Sequence, residues 1–304
     1  MNRSMTTLRL LTGRHIKLYF KDRVTFLMSL ITPLILLILF VTFLKNVYTD
    51  SFLTMLPAGI TVSDKVLNAF TGGWLMSSIL GVSGVTVAFC SNIIMVQDKV
   101  TGRRKDLLVS PVRRDILALS YYLSNVLTTV IVCLIALAAG LVYLAAVGWT
   151  LTALDILKII GDTLLCLLFG TSLAALVEHF LSSQGGISAA ATLVSSMYGF
   201  ICGAYMPLSQ FSEGIRNFAA FIPGTHGVIL LRRHFMRGAL QELESVMPAE
   251  GIEAIRKGFD NELYLFGNQI ETWQMVTVLV GSTILLLGAY VLIQLWGGRR
   301  RRPA

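Results

Sequence analysis

Four histidines, His15, His179, His226 and His234, and four cysteines, Cys90, Cys133, Cys166 and Cys202, are the first places to look for metal, acid–base or nucleophilic chemistry. Their spacing argues against all three. The histidines fall in separate segments, and no H-E-x-x-H, C-x-x-C or paired Cys/His pattern occurs. Each cysteine lies inside an apolar run and reads as a small buried hydrophobe, away from any loop that a disulfide framework would staple. No G-x-x-x-x-G-K-[ST] loop is present to cradle nucleotide phosphates, and no G-x-S-x-G turn presents a nucleophile. The chain is expected to be no enzyme and to hold no cofactor or metal of its own.

A proton relay would need a series of ionisable groups inside the apolar stretches. Asp162 is the one candidate, about two turns into the fourth stretch, where it reaches the outer headgroup region or pairs with Lys158 one turn away. Glu178 and His179 fall at the opposite end of that stretch and read as interfacial. The energy for any transport is therefore expected from another polypeptide.

The elements that carry these residues are set by composition. Of 304 residues, 55% are hydrophobic and 14% charged, with a mean hydropathy of +0.72. Soluble domains carry about 25% charged residues, so the chain reads as an all-α polytopic membrane protein. Spanning the bilayer takes about 20 apolar residues per helix. Six stretches qualify: 24–44, 72–96, 123–147, 156–177, 185–206 and 274–296. The net charge of +8 is concentrated in three places, at Arg3, Arg9, Arg14, Lys17, Lys21 and Arg23, at Lys99, Arg103, Arg104, Lys105, Arg113 and Arg114, and at Arg299 to Arg302. These clusters match the positive-inside rule, with both termini and the loop 97–115 cytoplasmic and the segment 207–273 outside. Nucleic acid is excluded as a partner, because no aromatic residues interleave with the bases; membrane lipid is the expected surroundings.

Before the first span, Leu8, Leu11, His15, Leu18 and Tyr19 share one side at helical spacing, so residues 1–23 are expected to form an amphipathic interfacial helix. Between spans five and six, the apolar pieces 211–221 and 226–236 flank Ile222-Pro223-Gly224 and are each too short to cross. They are expected to form a re-entrant or surface helical hairpin, followed by a small polar cap over 241–271. The whole, 1–304, reads as one transmembrane domain: spans one to five over 24–206, an external segment over 207–273, and span six with a basic tail over 274–304.

The loop 97–115 is more than a connector. Gly102 frees a turn, Pro111 stops a helix, and Leu107, Leu108 and Val109 make an apolar knob collared by Arg103, Arg104, Lys105, Asp106, Arg113 and Arg114. Such a knob fits a groove on a soluble partner, while the bases alone would serve topology and anionic lipid. Spans two and five are rich in small residues, including Ser77, Gly81 and Gly84 in the former and a G-x-x-x-G pair, Gly199 and Gly203, in the latter. Small residues let helices approach closely, so these spans are expected to line a seam and cavity between two subunits or to pack within one.

The run Asp98-Lys99-Val100-Thr101-Gly102-Arg103-Arg104-Lys105-Asp106-Leu107-Leu108-Val109-Ser110-Pro111-Val112-Arg113-Arg114 resembles the loop between spans two and three of ATP-binding-cassette (ABC) type 2 permeases. The interfacial helix, six spans, Gly203-Ala204-Tyr205-Met206-Pro207-Leu208 after span five and Ile222-Pro223-Gly224-Thr225-His226 also resemble that family's layout (the type V exporter fold). Two positions depart from it. Lys105 stands where members often carry a glutamate and Val100 where they carry an acid; Asp98 and Asp106 are the acids available to compensate. The resemblance implies a permease without its own ATPase, in a bacterial plasma (inner) membrane. It would act with two ATPase subunits holding ATP and Mg and with a second permease, identical or related. Gly102, Arg103, Arg104, Asp106, Leu107, Leu108, Pro111 and Arg113 would couple to the ATPase. Ser77, Gly81, Phe89, Met95, Met197, Tyr198, Gly199, Phe200 and Gly203 would line the seam and the path of a lipophilic or amphipathic substrate (drug, antibiotic, peptide or lipid) moved outward. An ion-coupled carrier and a membrane-embedded lipid-modifying enzyme are the alternatives.

Overall fold

A computed structural model describes residues 3–57 and 60–299. The expected basic tail at Arg300 to Arg302 lies outside the described residues. Helix α1 (Arg3–Lys21) leads into α2 (Arg23–Leu39), whose first turn is capped by the Asp22 carboxylate on the Val24 and Thr25 amides. A π-helical turn at Phe40–Leu44 carries α2 into α3 (Lys45–Thr54). Next come α4 (Asp64–Ser91), α5 (Ile93–Val100), the short α6 (Arg103–Val109) and α7 (Arg114–Val147). Helix α8 (Ala153–His179) starts at a capping box between Thr152 and Asp155, and α9 (Gln184–Ile201) at Ser183. Then follow α10 (Glu213–Ala220), α11 (Pro223–Glu244), α12 (Ala249–Gly258), an antiparallel hairpin of β1 (Leu263–Leu265) and β2 (Asn268–Ile270), and α13 (Thr272–Arg299).

Among the described residues, five helical stretches are long and apolar enough to cross a membrane: Arg23–Thr54, Asp64–Val100, Arg114–Val147, Ala153–His179 and Thr272–Gln294. The expected fifth span is the shorter apolar helix Gly185–Ile201. It stops early because Cys202 and Gly203 turn the chain, with Gly203 at φ 72° where a side chain would be strained. The expected hairpin is present as α10 and α11, but α11 is longer than its apolar piece and runs on to Glu244.

Helix α4 is the axis of the bundle. Helices α2, α7, α8, α9 and α11 surround it, and α13 packs outside α8 and α11. Close approach is paid for in side-chain volume: a methyl group on Gly170 of α8 would collide with the Gly84 carbonyl oxygen of α4. Likewise, Gly81 of α4 admits the Val228 side chain of α11. Helix α1 lies on α7 with Leu11, Thr12, His15 and Tyr19 buried and Met5 and Leu10 exposed, as its amphipathic pattern requires.

Candidate functional site

At the basic loop, Gly102 adopts φ 80° and lets the chain reverse between α5 and α6. The seven residues of α6 present two faces. Leu107 and Leu108 are half-buried against a cluster of the same chain that includes Leu11, Tyr19, Ile94, Leu117 and Ile187, so the expected three-residue knob is reduced to Val109, which is 89% exposed. A period of 3.6 spreads three consecutive residues around the helix, so they cannot all face one way; tertiary packing decides that Val109 is the one left out. Arg103, Lys105, Asp106, Pro111 and Arg113 are exposed, with Arg113 paired to Asp115 at 2.7 Å.

Arg104 turns inward. It donates to Gln294 Oε1 of α13 at 3.3 Å, and the Gln294 amide donates to His179 Nδ1 at the end of α8 at 3.0 Å. Lys99 donates to the carbonyl oxygens of His179 and, at 2.8 Å, Leu181, closing the C-terminus of α8 with a cation. Helix α6 is thereby tied to both α8 and α13. Asp98 is also turned inward. Buried at the junction with α1, it accepts from Arg14 at 2.9 Å and from the Tyr121 hydroxyl at 2.8 Å, and so cannot pair with a partner subunit; Asp106 remains free to do so. His15 stacks on Tyr121 with ring centroids 4.2 Å apart, and burial together with Arg14 holds its pKa down to about 4. Glu178, at the same end of α8, is fully buried in the protein.

At the opposite end of α4, Arg232 of α11 has no exposed surface. Its guanidinium donates to the Gly203 carbonyl at 2.9 Å, to Ser78 Oγ at 3.2 Å and to Asp260 Oδ2 at 3.5 Å, and sits 4.5 Å from the Trp74 ring centroid. Asp260 in turn accepts from the Leu208 amide and from the Ser209 amide at 3.1 Å, while Trp74 Nε1 donates to the Phe259 carbonyl. Burial raises the Asp260 carboxyl to about 6 against the opposing pull of Arg232. This clamp joins α4, the turn after α9, α11 and the cap. Sequence reasoning took 226–236 as too short to cross, in a re-entrant or surface hairpin, and assigned Arg232 no partner; an arginine flanked by Leu230, Leu231, Phe235 and Met236 was the available signal. Asp162 was the acid singled out, and its partner is His234 of α11 at 2.5 Å, not Lys158.

The residues expected along a subunit seam divide. Ser77, Gly81, Phe89 and Met95 of the α4–α5 stretch are buried inside this chain, as is Gly84 against α8, so they serve packing within one subunit. In α9, Gly199 lies under the Tyr205 ring, Tyr198 lies against Gly224, and Gly203 makes the turn. Met197 and Phe200 face outward, 54% and 52% exposed.

Among the described residues no group of three His, Cys, Asp or Glu side chains could hold a metal ion. A search of curated proteins returned no match to the chain. A family model described as ABC-2 type transporter matches residues 6–236, more than half of the chain, and covers α1, the basic loop and most of the buried α11. Its apolar helices and this match agree: the chain belongs to the ABC-2 type transporter family, as the membrane-embedded permease component.

Proposed function

We propose that the chain is the permease of an ATP-driven exporter that moves a lipophilic or amphipathic compound out of a bacterial cell. Two copies, or one with a related second permease, assemble with two ATPase subunits that bind ATP and Mg. Both termini and the basic loop face the cytoplasm, and α9 serves as a sixth crossing. The family match carries this reading. The loop's architecture supports it: α6 offers Val109 with Arg103, Lys105, Asp106, Pro111 and Arg113 to a soluble partner, while Leu107, Leu108 and Gly102 seat it. A displacement of α6 would reach α13 and α8 through Arg104, Gln294 and His179. The exposed faces of α2 and of α9, with Met197 and Phe200, are the surfaces left for a second permease and a substrate.

The test is Val109→Asp in the permease co-expressed with its ATPase. Losing one buried valine, about 1.5–3 kcal/mol, weakens association at least tenfold. The ATPase should fail to co-purify while the permease's own melting temperature is unchanged. Normal assembly, normal vanadate-sensitive hydrolysis and normal transport in this variant would refute the docking role.

A further inference from the structure

The side of α1 that faces away from the bundle carries charges that the chain itself does not answer. Arg9, Lys17 and Lys21 are exposed there, opposite the buried Leu11, His15 and Tyr19, and none of them makes an ion pair among the described residues. Lys17 and Lys21 stand one turn apart, where like charges repel. Arg103, exposed at the start of α6, is likewise without an ion pair among the described residues.

Two hollows of about 430 and 370 Å³ flank this side of α1 and share Leu18 and Lys21 as lining. Five cations (Arg9, Arg14, Lys17, Lys21 and Arg103) and two carboxylates (Asp22 and Asp98) line them, a net charge of +3. Both carboxylates are already engaged. Asp98 accepts from Arg14 at 2.9 Å and from Tyr121 at 2.8 Å, which cancels Arg14. Asp22 caps α2, accepting from the Val24 and Thr25 amides and, at 2.7 Å, from the Thr25 hydroxyl.

The hollows are also apolar. Leu10 is 69% exposed in the first, and a side-chain carbon on Gly13 would meet nothing within 4 Å, so the wall between Arg9 and Lys17 is open. Ile93 and Ile94 line the second beside Tyr19. Next to it, the first two turns of α2 leave Val24, Leu27 and Met28 exposed. A free phosphate would answer the charge and leave this apolar surface wet. A molecule that joins a phosphate to acyl chains answers both. Basic clusters on amphipathic helices beside a span, and basic pockets between helices at the membrane surface, take such headgroups.

We propose that α1, the base of α2 and the α5–α6 elbow form a binding site for an anionic phospholipid. Its phosphate lies against Lys17 and Lys21 with Arg103 reaching over from α6, and its acyl chains leave along the exposed face of α2. Arg103 and Val109 share α6, so a bound lipid bears on the same helix that is offered to the soluble partner. The site rests on the chain being membrane-embedded with α1 at one membrane surface. In the orientation proposed above that surface is the cytoplasmic one, but nanodiscs present the same lipid on both sides, so an error in orientation leaves the test intact.

The test uses the full-length permease in phosphatidylcholine nanodiscs with graded phosphatidylglycerol, with retained lipid counted by native mass spectrometry. Glutamine keeps most of the helix propensity of lysine, and the exchanged positions are exposed, so the fold is preserved. Lys21→Gln should weaken phosphatidylglycerol retention roughly fivefold, and Lys17→Gln with Lys21→Gln roughly thirtyfold. Lys105→Gln removes an exposed charge that lines neither hollow, and should leave retention unchanged. Equal retention of phosphatidylglycerol and phosphatidylcholine by the unmodified protein would overturn the proposal. So would a loss in Lys105→Gln as large as that in Lys21→Gln, which would reduce the effect to the general charge of the surface.

Discussion

Arg232→Met should unseat the buried hairpin more than any neighbouring apolar exchange. Methionine fills much of the same volume but leaves the Asp260 carboxylate without its cation, and Ser78 and the Gly203 carbonyl without their donor. Breaking a buried pair by removing one partner costs about 3–5 kcal/mol. Asp260 keeps the Leu208 and Ser209 amides, so the lower end, about 3 kcal/mol, applies. Asp260→Asn should cost a similar amount by stranding the guanidinium. The double variant should cost less than the sum, with a coupling of about 2 kcal/mol. The sign of the pH dependence follows from the carboxyl. Its folded pKa is already raised to about 6 with the cation present, and losing the cation raises it further. Protonation removes the charge-burial cost, so the deficit of Arg232→Met should be largest above the variant's raised pKa, shrink as pH falls toward about 6, and stay constant below that, where both folded proteins hold the proton. Apparent melting temperatures of the four proteins in detergent, at pH 7.5 and pH 5 (roughly, by the carboxyl's reference titration range), measure all of this. Additive single effects, or a deficit of Arg232→Met that does not change with pH, would refute the view of Arg232 and Asp260 as one energetic unit.

Acid should loosen α1. His15 is held neutral with a pKa of about 4 against 6.5 ordinarily, so the unfolded or undocked state binds the proton first, and stability falls as pH drops from 6.5 toward 4, by about 3 kcal/mol at most. Hydrogen exchange across residues 3–21 should rise over that window, and His15→Phe, which keeps the stack on Tyr121, should remove the dependence. Gly170→Ala forces a methyl group onto the Gly84 carbonyl, and should lower stability by about 1–3 kcal/mol through overpacking; an unchanged melting temperature would mean that α4 and α8 separate freely. Single cysteines at Glu250 and Arg103 test the topology: labelling from outside is expected at the first and not at the second, and the reverse pattern would invert the orientation.

Much of the architecture was legible before folding. Runs of about 20 apolar residues in a chain with 14% charged residues leave helices in a bilayer as the only way to satisfy the backbone. The side of α1 that carries Leu11, His15 and Tyr19 is indeed the buried one, because helical periodicity is local. The punctuation at Gly102 and Pro223 was legible for the same reason, whereas Gly203 read as a packing residue inside span five and instead ends it. Tertiary structure alone decided which apolar surface meets protein and which meets lipid. Hydropathy cannot separate them, since lipid tails are as apolar as leucine; hence the small residues of α4 suited an outer seam as well as the bundle axis they occupy. Nor could spacing reveal that Leu107 and Leu108 turn inward while Val109 turns out, because the cluster they pack against comes from α1, α5, α7 and α9. Arg232 and Asp260 lie 28 residues apart, and Ser78 lies 154 residues from Arg232. A charge deep among apolar helices is tolerable only when distant parts of the chain arrive to neutralise it, and that arrival is a property of the fold.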